Sequence, residues 1–394
     1  MSSQQAEAVI KQFAESRNDS SISVLEFIGI LTIWIAMIAI CNPIGNFPLN
    51  DDWAYADSVR KLLEGKIVLH DWTAANLFSQ LFWGALFCKA FGFSYTTLRI
   101  SSLVLGFIGI LITYQLALQL SKNKQTAFAL CILTAVNPIF FASSNTFMTE
   151  IPFFAFSLAS ILFLTNAFRS SSWVDISVGT VFVIIAMLSR QIELAIPMAF
   201  AIAYPINKKI NTKTLLQASL PLAICILTQI LFKAWLEAEN KIPFTYGYQI
   251  HLLKETLKLP PLEMAKIIYS NTIKSITLIA FFCSPFVFLK SKTKSKANTA
   301  YIITTILLSA VTWKYAIPHT FPITGNILNK GGIGPGSYEY SPSRKLTQIW
   351  TAIGVISTFA SIAMIANFAR YLFKSFKFIR EKNLNPIKLP LFSY

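Results

Sequence analysis

Charge is scarce in this 394-residue chain: Asp, Glu, Lys and Arg together make up 13% of it, and only 18 residues are acidic. With 54% hydrophobic residues, 33 of the side chains being phenylalanine, the polar coat of a water-soluble fold cannot be assembled, and lipid must cover most of the surface. Histidine is limited to His70, His251 and His319, each isolated and without HExxH-like spacing, which argues against a metal site built on them. The cysteines Cys41, Cys88, Cys131, Cys225 and Cys283 are scattered in or beside apolar runs, so packing is expected of them, and neither a disulfide framework nor a zinc site. Also lacking are a GxxxxGK[ST] phosphate loop and a soluble segment large enough to hold a nucleotide.

What the chain has instead is apolar runs long enough to cross a bilayer, about ten of them, each needing about 20 residues. They fall near Leu25–Cys41, Thr97–Leu120, Gln125–Phe141, Ile151–Phe168, Val174–Leu188, Ile192–Ile206, Leu215–Trp235, Thr272–Leu289, Thr299–Ala316 and Thr347–Phe368. The expected fold class is therefore all-α, a polytopic transmembrane helical bundle. Leu25–Cys41 has no Ala-x-Ala cleavage pattern after it and reads as a signal anchor. The further apolar stretch Leu77–Phe93 reads as a partly buried loop helix, because counting it as a span would invert every later loop.

The net charge of +16 is a topology signal and not a nucleic-acid signal, since the basic residues sit in short gaps between apolar runs. With residues 1–24 in the cytoplasm, the inner gaps are Lys122–Lys124, Arg169, Lys208 to Lys213, Lys290–Lys296 and the basic tail 370–394, which reads as a cytoplasmic amphipathic segment on anionic lipid. The transmembrane domain is expected over 25–369, and its long gaps 42–96, 236–271 and 317–346 mix acids, aromatics, Gly and Pro. These suit folded outer loops, where function concentrates.

Two segments carry chemistry. The first outer loop opens with Asn50-Asp51-Asp52-Trp53-Ala54-Tyr55, a dense acidic cluster in an acid-poor chain. Asn50 is a good N-cap, and Tyr55, Val59, Leu62 and Leu63 recur at helical spacing as far as Gly65, predicting an amphipathic helix along the outer surface with Asp51 and Asp52 at its start. A plainer alternative is that these acids only complement the helix dipole. The second segment, Met148-Thr149-Glu150-Ile151-Pro152-Phe153, sets Glu150 at the lip of a wholly apolar helix, where an ionised group is expensive without a partner or a function. Counting spans puts Asp51 and Glu150 on the same membrane face.

These segments, with the helix ending Leu62-Leu63-Glu64-Gly65, the run Phe82-Trp83 to Phe91-Gly92 and Leu98-Arg99-Ile100-Ser101-Ser102, resemble membrane glycosyltransferases of the GT-C superfamily. The similar group is that of the protein O-mannosyltransferases and the aminoarabinose transferase of lipid A modification, and the likeness covers roughly residues 25–200. It implies a GT-C type bundle with amphipathic helices in the first outer loop. It also implies a sugar donor linked to a polyprenyl phosphate, and transfer on the outer face to a lipid, glycan or protein acceptor by base-assisted inverting displacement. Asp51 matches the family's catalytic aspartate and Glu150 its second acid. The location implied is a bacterial plasma membrane with the site facing the periplasm or exterior.

Chemistry at the anomeric carbon asks for a base to take the acceptor's proton and for positive charge on the departing phosphate. Arg190, followed by Gln191 at the outer end of its span, is the expected phosphate ligand, and a snorkelling interfacial arginine is the alternative. Asp52, Tyr55 and Lys66 complete the expected substrate-binding set, Lys66 as a weaker phosphate partner that could simply face water. No cofactor is expected; Asp51, Asp52 and Glu150 could hold a divalent cation, but none is predicted. Glu193 and Lys314, at span ends, read as interfacial. The glycine-rich run Gly325 to Gly336 could let backbone approach a sugar, or could be a turn-rich connector. The competing function is a transporter or flippase of a lipid-linked or polar solute, which would show intramembrane charges in paired broken helices and an internal repeat. A non-catalytic scaffold is the third reading.

Overall fold

The computed structural model describes residues 22–49, 51–73, 76–208 and 210–272, together with Ser275 and the pairs Leu328–Asn329 and Gly332–Ile333. The predicted spans at Thr272–Leu289, Thr299–Ala316 and Thr347–Phe368, Lys314, His319, Cys283 and the basic tail lie essentially outside the described residues, as does the proposed cap Asn50. The chain divides into two units, one ending at Ile250 and the other beginning at His251.

The first unit is a helical bundle. Its helices are α1 (Val24–Cys41), α2 (Asp52–Leu63), α3 (Phe78–Phe91), α4 (Tyr95–Ser121), α5 (Lys124–Ala135), α6 (Pro138–Ser144), α7 (Glu150–Ser170), α8 (Trp173–Met187), a 3-10 turn at Gln191–Leu194, α9 (Ala195–Asn207), α10 (Thr212–Ala238) and α11 (Phe244–Leu257), which runs into the second unit. Four of them, α1, α4, α7 and α10, are long and apolar enough to cross a membrane. Their outward faces confirm the medium: α1 buries Ile30 and Trp34 but exposes Leu25, Ile28, Ile35 and Ile40, and α10 exposes Ile226, Leu227, Ile230 and Leu231. A helix that is apolar all round is stable where its surroundings are hydrocarbon.

The third predicted span is not continuous. It breaks into α5 and α6, which meet at 61°. Asn137 precedes Pro138, a position that disfavours helical backbone, and its side-chain oxygen caps the new helix by accepting the amides of Ile139 and Phe140 at 3.0 and 3.1 Å. The sixth predicted span is likewise split, into the 3-10 turn and α9.

Small residues set the helix spacing. A β-carbon on Gly109 would come within 3.1 Å of Phe154, and one on Gly179 within 2.9 Å of Leu164, so α4 packs on α7 and α7 on α8 at close range. The apolar stretch after Leu77 forms α3, a 14-residue helix of about 21 Å, too short to span and packed instead on α2 and α4. Below it Tyr55, Val59, Leu69, Leu81, Leu98 and Phe147 form one core, which seats the first loop on the bundle. The bundle is polarised along α7. Glu150 starts the helix and Arg169 ends it, with the Arg169 guanidinium donating to the Gln119 carbonyl at 2.8 Å beside the Lys122 turn.

In the second unit α11 ends beside the ion pair Lys258–Glu255 at 2.7 Å, and a further helix over residues 261–272 carries the pair Lys266–Glu263 at 3.3 Å. Within the glycine-rich run, Leu328 pairs with Ile333 and Asn329 with Gly332 in an antiparallel hairpin.

Candidate functional site

Helix α2 delivers the first acids. It runs from Asp52 to Leu63 and closes in a Schellman turn, with Gly65 at φ +82°, its amide on the Leu62 carbonyl at 3.0 Å, and the Lys66 amide on Lys61 at 2.9 Å. The predicted amphipathic helix is present, but it is inlaid and not laid on: Ala54, Tyr55, Ala56, Ser58 and Val59 are buried. Asp51 occupies the N-cap position, yet its side chain makes no capping hydrogen bond. One of its oxygens accepts instead from the Trp72 indole N–H at 3.3 Å.

Asp52 faces the other way. Expected to touch substrate, it has no exposed surface and accepts the Leu49 amide at 2.7 Å. Burial pushes its pKa up to about 6, against the opposing pull of the Leu49 and Phe147 amides and the Arg99 guanidinium, with the Asp51 charge adding to the rise. Arg99, in the second turn of α4, is 1% exposed and donates to the carbonyls of Pro43 at 3.1 Å, Gly45 at 2.9 Å and Phe47, with its guanidinium 4.6 Å from the Phe47 ring centre. It clamps the strand of chain between α1 and α2 that carries the acids. In sequence Arg99 stands inside a motif, and an arginine in an apolar helix is itself the signal of a buried partner.

Glu150 and Arg190 come together. Arg190 Nη2 lies 3.2 Å from Glu150 Oε1, the side chains being 39% and 28% exposed. The other Glu150 oxygen has no hydrogen-bond partner among the described residues. Tyr55 is the link to Asp51: its buried phenol is held well above its usual pKa by burial, then by the charges of Glu150 and Asp51, with Arg190 opposing. Asp51, Tyr55, Glu150 and Arg190, from two remote stretches of sequence and the linker after α8, thus share one end of the bundle.

Gln191 is anchored beside them. Its amide donates to Asn76 Oδ1 at 2.9 Å, and Asn76 donates to the Met187 carbonyl at 2.8 Å and to Gln229 Oε1 at 3.1 Å. The same linker accepts the Leu77 and Phe78 amides on its Ser189 and Leu188 carbonyls at 3.4 and 2.8 Å, with Leu77 in the left-handed region at φ +60°. Asn76 and Gln229, unsingled in sequence, are ordinary polar residues whose role comes from pairing across the fold.

Lys66 is not brought in. It stands at the far end of α2, about 18 Å of helix away from Asp51, is 70% exposed and faces Glu64 at 3.8 Å. Glu193, expected at an interface, is 1% exposed: it accepts from the hydroxyls of Ser157 at 2.5 Å and Ser160 at 3.0 Å, pinning the 3-10 turn to α7. Among the described residues no three His, Cys, Asp or Glu side chains are close enough to share a metal ion.

An apolar groove of about 380 Å³ adjoins this end, lined by Phe78, Phe82, Trp83 and Leu86 of α3, Phe156 of α7, and Ile185 and Leu188 of α8 and its linker. The groove is open, and its Leu188 stands two residues before Arg190 in the chain.

Residues 80–236 match the family described as dolichyl-phosphate-mannose-protein mannosyltransferase. The match takes in Glu150, Arg190 and Gln191 and begins beyond Asp51, Asp52, Tyr55 and Lys66. It agrees with the GT-C likeness of the sequence and supports a membrane glycosyltransferase of the mannosyltransferase type. No curated protein matches the chain.

Proposed function

We propose that the chain is an inverting glycosyltransferase that takes a sugar from a polyprenyl-phosphate donor and passes it to a lipid, glycan or protein acceptor on the outer face of the membrane. The observation that carries this reading is the Glu150–Arg190 pair, 3.2 Å across, with Leu188, two residues before Arg190 in the chain, lining an open apolar groove. A donor with an isoprenoid tail, an anionic linkage and a polar sugar needs those three surroundings side by side.

In this reading the Asp51 carboxylate takes the proton of the acceptor hydroxyl as its oxygen attacks the anomeric carbon. The bond from that carbon to the phosphate oxygen breaks, and its electron pair leaves with the polyprenyl phosphate. Trp72 holds one Asp51 oxygen through its indole N–H, and the other is the one that would take the proton. Arg190 offers up to five N–H donors, of which the ion pair engages one end, so the remainder can meet phosphate oxygens. Glu150 fixes that guanidinium through one of its oxygens.

The transporter reading asked for paired broken helices. The α5–α6 break at Asn137–Pro138 carries no charge, and at the split of the sixth predicted span Glu193 is taken up by the hydroxyls of Ser157 and Ser160. The test is transfer of labelled sugar from polyprenyl-phosphate donors by membranes containing the protein, beginning with mannose because the matched family's description names it. A reporter fused after Asp71 should read outside. Absence of transfer from any polyprenyl-phosphate sugar, or a reporter that reads inside, overturns the proposal.

A further inference from the structure

The groove and the ion pair leave one feature of the first loop without a task. Two tryptophans stand at the rim of Asp51 with much of their surface open: Trp53 is 40% exposed and Trp72 55%. An exposed indole is costly in water, and a tryptophan anchored at a lipid interface turns its N–H to headgroups. Trp72 does otherwise. Its indole N–H is directed to the Asp51 carboxylate at 3.3 Å, and its backbone N–H to His70 Nδ1 at 3.1 Å. His70 is itself fixed, its amide donating to the buried Ser58 hydroxyl at 3.0 Å and its ring standing against Trp53, 4.8 Å between centres at 77°. The Asp71 carbonyl, next in the chain, accepts the Thr245 amide at 2.9 Å. The ring is held by one polar bond at its edge, and more than half of the residue's surface is exposed.

We infer that Trp72, its backbone held by His70, is a saccharide platform: a pyranose ring lies on the indole by its C–H face, with a hydroxyl turned to Asp51. A pyranose has a patch of axial C–H groups and a rim of hydroxyls, and a fixed aromatic plane next to a carboxylate answers both. The carboxylate at the rim counts against a nucleotide, whose phosphates it would repel, and the edge hydrogen bond against an alkyl chain, for which the groove at Phe82 and Leu86 is the apolar surface. The inference rests on the glycosyltransferase reading for its choice of ligand, and the ring could belong to the donor or to the acceptor.

The experiment uses the full chain in lipid nanodiscs with 5-fluorotryptophan at its tryptophans, the resonance missing from Trp72→Phe being that of Trp72. Three kinds of probe are titrated: methyl pyranosides of mannose, glucose and galactose; polyprenyl phosphate; and polyprenyl-phosphate mannose. The Trp72 resonance is expected to move with a sugar-bearing probe and to stay put with polyprenyl phosphate. Movement with polyprenyl-phosphate mannose alone assigns the platform to the donor sugar, and movement with a methyl pyranoside to an acceptor ring. No movement with any sugar, or equal movement with polyprenyl phosphate, overturns it. In transfer assays Trp72→Leu should raise the KM of the sugar-bearing substrate roughly tenfold and Trp72→Phe much less. Equal losses in the two variants would assign the effect to the indole N–H and sink the platform. A chain that transfers sugar while Trp72 stays silent loses the platform and keeps the proposed function. A responsive Trp72 in a chain without transfer activity does the reverse.

Discussion

Arg190 and Glu150 are 40 residues apart in sequence, on opposite sides of a hairpin of helices, and their side chains meet at 3.2 Å. Helix α7 leaves Glu150 at one end of the bundle, α8 returns, and the linker after Met187 sets Arg190 at that same end. Neither residue is solvent-free, so the pair is worth little as a staple. What it does is hold a guanidinium at that end of the bundle with one partner already supplied.

Arg190→Lys is therefore not a conservative change. A lysine keeps the charge but loses the planar fork that can hold Glu150 and a phosphate together, and transfer should fall by about 10²-fold. The measurement is the initial rate of sugar transfer at saturating donor, with the melting midpoint as control. A lysine variant at parental rate would remove Arg190 from the phosphate site.

Asp51→Asn keeps the shape of the side chain and can no longer take a proton. Transfer should drop by roughly 10²–10⁴-fold with little change in stability, since Asp51 caps nothing and is half-exposed. The measurement is the initial rate of sugar transfer, and a variant at the parental rate would assign the base elsewhere.

The helices were legible in the sequence because the lipid-facing runs are long and apolar and because Ser23, Ser94, Asn123, Ser172 and Asn211 stand as N-caps where α1, α4, α5, α8 and α10 begin. The break at Asn137–Pro138 was written there too, as an Asn before a Pro, but the apolar run across it masked the signal. The pairing of Glu150 with Arg190 followed from counting spans only as far as a shared face; the contact itself needed the linker geometry. The opposite fates of Asp51 and Asp52 were not legible at all. Two adjacent acids at a helix start look alike in sequence, and what parts them is the 100° step between neighbouring helix positions, which turns Asp52 toward Arg99 and leaves Asp51 with Trp72. Glu193 misled for a similar reason, because its serine partners sit on another helix.

Asp52 gives stability a pH dependence of definite sign. Its folded pKa is raised, from 3.8 to about 6, so the folded state binds the proton more tightly than the unfolded chain does. The contribution is most favourable below the unfolded value near 4 and is lost as pH rises through about 6. Asp52→Asn removes that titration. The melting midpoint of the variant relative to the parent should climb between pH 4 and pH 7, read in detergent by intrinsic fluorescence. A difference independent of pH would show that Asp52 ionises as freely in the fold as outside it.

Gly84 connects packing to the same acid. It sits on α3 against the ring of Phe147, and a β-carbon there would overlap that ring and come within 3.0 Å of Leu98. Phe147 is 1% exposed and cannot swing into open space. Its carbonyl accepts from Gln80 at 2.8 Å, and its amide is one of the groups that holds down the pKa of Asp52. Gly84→Val should therefore act twice: it should cost about 1–3 kcal/mol by overpacking, and it should move the Phe147 backbone away from Asp52. Losing that amide raises the Asp52 pKa further, so the pH-dependent part of the melting curve should shift to higher pH in Gly84→Val and be abolished in the double variant with Asp52→Asn. Lower stability with the pH dependence unmoved would mean that Phe147 yields through its side chain alone and that the α3 packing is independent of the acid.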